Sequence, residues 1–303
     1  MIVFASAMTD PEAYRRYARP RISMAAEPDS KIHAFAAVGS VCRSYNLLLE
    51  RAALEPGLEA LVLVQQDVEI LDPDFCGKVR RALDDPEVAV VGPVGATGVR
   101  SIAWWEGQIS SAAPVQRYQR FGSGEIPAFS WKPHDPAPAE VDVVDGRLMV
   151  LSPWAVETLR FDESLSLGYG YELDLCLKAR AAGRRVMTAD LHVAYRTRSL
   201  KVLTDTDLWI EGHIQAGERL EGRLPEASTG AGGWKERARR AEAEREAART
   251  LAYSTEHQVD AEMAPLERAL DQLTESSSWR LSAPFRRLNS WRRARCLGDA
   301  DGR

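Results

Sequence analysis

Scarcity narrows the field first. The 303 residues include only four cysteines and five histidines. Cys42, Cys76, Cys176 and Cys296 lie far apart without a CxxC pair, which excludes a disulfide framework and a cysteine-based zinc site. No apolar run approaches the ~18 residues of a membrane span. Positive charge is in deficit, 39 Lys and Arg against 44 Asp and Glu, so no global field draws the chain to nucleic acid. No basic leader precedes Met1-Ile2-Val3-Phe4-Ala5, which reads as a first strand rather than a signal peptide. The expectation is a soluble cytoplasmic chain of ~2 domains.

What is present alternates between strand and helix signals. Ile2 to Ser6 is apolar, and Asp10-Pro11 then supplies an N-cap and a first-turn proline. Lys31 to Val38 reads as a second strand. Val41 to Leu54 carries Tyr45, Leu48, Leu49 and Ala52 at helical spacing and stops at Pro56-Gly57. Ala60 to Val64 is continuously apolar, as in a strand buried on both faces. Asp72-Pro73 opens the next helix, and Val88 to Val91 is another buried strand. This rhythm predicts an open α/β sheet.

The stretch from about 98 to 140 reads as loops and short antiparallel strands. Glu140 to Leu151 is predicted as one strand crossing Asp145-Gly146, Glu172 to Ala182 as a helix and Arg185 to Ala189 as a last strand. Composition then changes. The boundaries predicted are a first domain over 1–222, a Gly-rich linker over 223–233 and a helical extension over 234–303. The extension carries Met263, Leu266, Leu270 and Leu273 as one apolar stripe by which copies could pair, and ends in a basic, aromatic tail. Such a tail suits docking to a protein partner or an anionic membrane surface, and equally suits a solvated, disordered end.

In open α/β sheets ligands sit beyond the carboxyl ends of the strands. Asp67, just past the apolar run 60–64, is the residue singled out there. A carboxylate in that place either caps a turn or holds a hard cation such as Mg²⁺ or Mn²⁺ together with phosphate oxygens.

Wider motifs bear on that choice. Leu61-Val62-Leu63-Val64-Gln65-Gln66-Asp67-Val68, followed by Leu71-Asp72-Pro73, resembles the core of family 2 glycosyltransferases of GT-A type. The likeness is to the branch whose metal motif reads His/Gln-Gln-Asp-Val, that of the streptomycin-biosynthesis-type domain. Val143 to Val150 resembles the family's acceptor-side strand with its Asp-Gly, Phe161-Asp162-Glu163 its usual sequel, and Gly170 to Ala179 its Gly-Glu-Asp helix start. The resemblance spans roughly residues 1 to 215. It implies a mixed open GT-A sheet flanked by helices and an inverting sugar transfer with Mn²⁺ or Mg²⁺. The donor would be a nucleotide-sugar and the acceptor a glycan or a lipid-linked sugar, as in bacterial surface polysaccharide or glycoconjugate assembly.

Residue by residue, the resemblance and the strand ends together assign Asp67 and His192 to metal, and Ser6, Asp10, Asn46 and Gln66 to the nucleotide-sugar. Trp105, Asp145 and Gly146 fall to the acceptor side, and Glu172 with Asp174 to catalysis, Glu172 as base. Two departures stand out: Gln65 replaces the first carboxylate of the metal motif, and the acidic pair is shifted to Tyr171-Glu172. Plainer readings remain open for each. Glu172 and Asp174 could be first-turn acids, His192 a hydrogen-bonded structural residue, and Trp104-Trp105 core packing. A silent GT-A scaffold working through its C-terminal helix is one rival. A sugar nucleotidyltransferase is another, though Ser6-Ala7-Met8-Thr9 offers no Gly-rich phosphate loop.

Overall fold

The computed structural model describes residues 1–104, 107–113, 115–121, 124–131, 137–166, 168–197, 206–220 and 222–224, with Arg268, Gln272 and Ser276. The chain divides into two compact units, Met1–Gly230 and Ala231–Arg303. Almost all of the predicted linker and extension, including the Met263–Leu273 stripe, lies outside the described residues, as does Cys296.

A six-stranded sheet organises the first unit. It is built from β1 (Ile2–Met8), β2 (Lys31–Ala36), β3 (Ala60–Val64), β5 (Val88–Gly92), β11 (Leu148–Leu151) and β12 (Arg185–Thr188), in the order β12-β5-β11-β3-β1-β2. β1 pairs parallel with β2 and β3, and β12 pairs parallel with β5. β11 alone runs against its neighbours, inserted between β3 and β5. Because β3, β5 and β11 are covered on both faces, their residues read as unbroken apolar runs. β2 is an exposed edge, and its Lys31 and His33 both pair with Glu55.

Strand alternation divides the core. Val3, Ala5, Leu61 and Leu63 pack with α3 (Val41–Ala53), α5 (Pro153–Thr158) and α6 (Tyr171–Ala181) on one face. On the other face Ile2, Phe4, Val62 and Val64 meet Tyr14, Ile22 and Phe75. Asp10 caps the first helix as expected, its Oδ1 accepting from the N–H groups of Glu12 and Ala13, both at 3.1 Å. That helix comes in three pieces, α1 (Pro11–Ala13), a π-helical turn (Tyr14–Ala18) and α2 (Arg19–Ala25). The widened turn lies over Arg16, whose carbonyl would otherwise meet the ring of Pro20. α4 (Phe75–Ala82) starts later than Asp72-Pro73 predicts, and Asp72 instead pairs with Lys78 at 2.7 Å.

The predicted strand over Glu140–Leu151 is two strands. β10 (Val143–Val144) joins β6 (Val94–Thr97) and β7 (Gln108–Ser111) in a three-stranded sheet, whereas β11 belongs to the main one. The break is made by Asp145, whose backbone N–H donates to Val94 O (2.9 Å) and whose Oδ1 accepts from Arg147 N (3.0 Å). A third sheet joins β4 (Val68–Ile70), β13 (Val193–Thr197), β8 (Val115–Phe121) and β9 (Gly124–Trp131). Neither β4 nor β13 is announced by a long apolar run.

α7 (Thr206–Arg219) packs across the start of α6. Gly170, at φ +72°, caps α6 where a Cβ would stand 2.9 Å from Ala216 Cβ. Beyond α7, Arg223 reaches Asp174 at 2.6 Å. Among the described residues no helix is long and apolar enough to cross a membrane.

Candidate functional site

Topology gathers the chemistry at one edge of the sheet. β1, β3, β5 and β12 share one direction, so their carboxyl ends lie together, and antiparallel β11 begins at that same edge. Gln65, just past β3, therefore faces Arg147, just before β11, with Gln65 N donating to Arg147 O at 2.9 Å. α6 delivers Tyr171 and Glu172 to the same place.

A chain of hydrogen bonds fastens these segments. The Gln65 amide Nε2 donates to the Tyr171 hydroxyl at 2.7 Å, and that hydroxyl donates to Gly146 O at 3.0 Å. Tyr171 is buried and packs its ring against Tyr45 and Phe161. Where a metal motif would carry its first carboxylate, Gln65 is thus a neutral tie between β3 and α6.

Glu172 sits beside that tie and is partly exposed. Burial pushes its carboxyl up to about 7, and the charge of Asp145 adds to the rise. Its own backbone N–H, the Trp104 indole and Arg147 pull the other way. Trp104 Nε1 donates to Glu172 Oε1 at 3.3 Å, so this buried tryptophan is a donor to the candidate base. Trp105, assigned to the acceptor side, lies outside the described residues.

Asp67 stands next to a cation of the protein itself. Arg147 Nη1 donates to Asp67 Oδ2 at 2.7 Å, while Asp67 Oδ1 is buried without a hydrogen-bond partner. The guanidinium lies over the Tyr195 ring, 5.3 Å from its centroid. Burial alone would lower its pKa, but Asp67 and Asp145 raise it above the usual arginine value, so the charge is permanent.

The other predicted residues divide into near and far. Gln66 and Asp10 are at the edge and bind each other's segment: Gln66 Oε1 accepts from Thr9 N (2.8 Å) and Asp10 N (2.7 Å), and Nε2 donates to Thr9 Oγ1 (2.9 Å). Ser6 is buried with its hydroxyl spent on Val64 O at 2.8 Å, so it ties β1 to β3 and presents nothing to a ligand. Gly146 is buried under Tyr171, and Asp145 shapes the turn that presents Arg147. Neither offers an acceptor-facing surface.

Three further assignments are corrected by geometry. Asn46 is a buried latch: Oδ1 accepts from Phe161 N (2.8 Å), and Nδ2 donates to Phe161 O (3.0 Å) and Glu163 Oε1 (3.1 Å). Asp174 is 1% exposed and locked between Lys178 (2.7 Å) and Arg223 (2.6 Å), an ion-paired strut and not a catalytic acid. His192 sits opposite Leu71, whereas Arg196 sits opposite Asp67. Four residues of strand, ~13 Å, separate the two positions, so His192 does not join Asp67 in a metal site.

Asn46→Ala is expected to cost about 2 kcal/mol, because it strands the buried N–H and C=O of Phe161. A thermal melt should show a midpoint lower by about 4–8 °C. Affinity for nucleoside diphosphates should be unchanged, and a selective loss of that affinity would restore the nucleotide role.

Among the described residues no group of three His, Cys, Asp or Glu side chains could hold a metal ion. Among the described residues Asp67 Oδ1 is the motif oxygen left to a hard cation. Its unmet acceptor fits an ion that takes one carboxylate and completes its shell with ligand phosphates. The described cysteines carry no chemistry here. Burial pushes Cys42 and Cys176 up to about 12 and Cys76 up to about 11.

No family model matches the chain. Over 182 residues it is 28% identical to Streptomycin biosynthesis protein StrF of Streptomyces griseus, covering 59% of this chain and 60% of StrF. The chain thus spans less than two thirds of the curated relative it matches. Among solved structures it is similar to the mannosyltransferase PcManGT from Pyrobaculum calidifontis, in complex with GDP-Man and Mn²⁺. There the TM-score is 0.44 at 13% identity, over 92% of this chain and 81% of that one. It is also similar to S. aureus TarS, with a TM-score of 0.42 at 13% identity over 75% of this chain and 40% of that one.

Proposed function

We propose that this chain is a GT-A-type glycosyltransferase that moves a sugar, with inversion, from a nucleotide-sugar donor to a hydroxyl of a glycan or lipid-linked acceptor. One observation carries the reading: Glu172, raised to about 7, is fastened through the Tyr171–Gln65 tie to the segment bearing Asp67 and Arg147. A carboxylate of that pKa is suited to take the acceptor hydroxyl's proton at neutral pH. Trp104 donates to its Oε1 and so holds the carboxylate in place. The 28% likeness to a biosynthesis protein supports an enzyme.

A divalent ion such as Mn²⁺ or Mg²⁺, held by Asp67 Oδ1, would supply positive charge to the departing diphosphate. The residues of the chain do the rest. Gln65 and Tyr171 keep Glu172 in register with the strand ends, and Gln66 fixes the Thr9–Asp10 turn at the donor's side. Residues 1–222 form the catalytic domain, 223–233 the linker and 234–303 an extension for a protein or membrane-surface partner in the cytoplasm.

The test is release of nucleoside diphosphate from a panel of nucleotide-sugars with Mn²⁺ and simple acceptor sugars. At least one donor should be consumed by the full chain, and Asp67→Ala should slow that consumption by 10²-fold or more. A folded chain that consumes none of them favours a silent scaffold instead.

A further inference from the structure

Asp67 and Arg147 form a pair with capacity left on both sides. An arginine has five N–H donors in a rigid fork. Among the described residues the Arg147 side chain uses one of them, on Asp67 Oδ2. The other side of the pair is Asp67 Oδ1, a buried acceptor with no donor. A purely structural ion pair in a half-buried setting normally satisfies more of its valence than this. Solvent reaches both side chains, at 22% and 19% exposure, so neither is sealed in the core.

The charges around it say which ligand. Asp67, Asp145 and Glu172 are gathered at this edge, and Arg147 is the cation that interacts with all three. An anionic ligand entering among three carboxylates meets repulsion unless a cation faces it. Gln65, whose amide donates to Tyr171 at the same edge, is neutral and adds no repulsion of its own. The guanidinium lies over the Tyr195 ring, and its rigid planar fork suits a two-pronged contact to a phosphate.

We propose that Arg147 is a direct ligand of the donor's diphosphate, so that this chain binds nucleoside diphosphates without a divalent ion. The inference rests on the glycosyltransferase reading and adds a protein-borne cation to it. Arg147 keeps one N–H on Asp67 and turns the free edge of its fork to phosphate oxygens. The metal, where present, and Arg147 then share the neutralisation of the leaving group.

Titration calorimetry of the full chain with UDP, GDP and inorganic pyrophosphate, in Mn²⁺ and in EDTA, tests it. In EDTA the wild-type chain should bind at least one of these nucleotides within about 30-fold of its Mn²⁺ affinity. Arg147→Gln should weaken binding in EDTA at least tenfold and in Mn²⁺ by less. Arg147→Lys should recover part of the loss, since it restores charge without the fork. Asp67→Asn combined with Arg147→Gln leaves no stranded charge, so it guards against misfolding and should lose metal-free binding equally. Binding by the wild type only in Mn²⁺, or equal binding by Arg147→Gln in EDTA, overturns the inference and leaves the proposed function standing. If no probe binds in either buffer, both fall.

Discussion

Glu172→Gln is expected to slow sugar transfer by about 10²–10⁴-fold without weakening nucleoside diphosphate binding. The amide can still accept from Trp104, so the helix start should keep its place. Wild-type turnover should rise with pH through about 7, because the ionised carboxylate is the active form. The same residue makes a second, opposite prediction for stability. Its folded pKa of about 7 lies above its ordinary 4.5, so ionising it penalises the folded state. That penalty is absent below about 4.5, grows between about 4.5 and 7, and is complete above about 7. It amounts to at most about 3 kcal/mol. Urea melts should therefore show Glu172→Gln equal to the wild type at pH 4 and more stable at pH 8. An active Glu172→Gln, or a variant no more stable at pH 8, removes Glu172 from its role.

The second large effect is expected at Gly146. A Cβ there would stand 2.6 Å from the Tyr171 hydroxyl oxygen and 2.8 Å from Cζ. Tyr171 has nowhere to go, since its ring is wedged against Tyr45 and Phe161 and its hydroxyl holds Gln65 and Gly146 O. Gly146→Ala should cost about 1–3 kcal/mol from overpacking. Shifting Tyr171 also shifts Glu172, its neighbour in sequence, and a displacement near 1 Å can cost about 10²-fold in rate. Adding Tyr171→Phe removes the nearest colliding atom and should recover part of the lost stability but little of the rate. If Gly146→Ala melts and turns over like the wild type, the tie between β11 and α6 has no such consequence.

The buried strands were the most legible part of the chain. Ala60–Val64 and Val88–Gly92 are apolar throughout because helices cover both faces of the sheet, and the sequence shows this directly. The cap at Asp10 was equally plain. The Glu140–Leu151 segment was not, because two strands of different sheets follow one another with only a three-residue break, and local pattern carries no sheet membership. Asp67 and Glu172 could be nominated from motif position. The environment of each could not. Arg147 is the one cation of the Val143–Val150 motif, and a lone charge beside a buried strand is the signal by which sequence could have found it. Asn46, Ser6 and Asp174 show the converse. Their residue types suit ligand chemistry, but Asn46 and Ser6 find their partners 115 and 58 residues away, and Asp174 adds to its near partner Lys178 an Arg223 that lies 49 residues away, beyond what sequence spacing reveals.

Insertion of β11 between β3 and β5 has a consequence for the growing chain. While the polypeptide emerges from a ribosome, residues 60–64 and 88–92 are made long before 148–151, the strand that both require as a neighbour. Until then β3, β1 and β2 form a ribbon with an open edge, and β5 has no partner in the main sheet, because β12 is made later still, a state prone to wrong pairing. Any fragment ending short of residue 151 leaves that gap, and with it the edge where Asp67 meets Arg147. Binding competence should therefore appear abruptly with chain length, after residues 171–172 have left the exit tunnel.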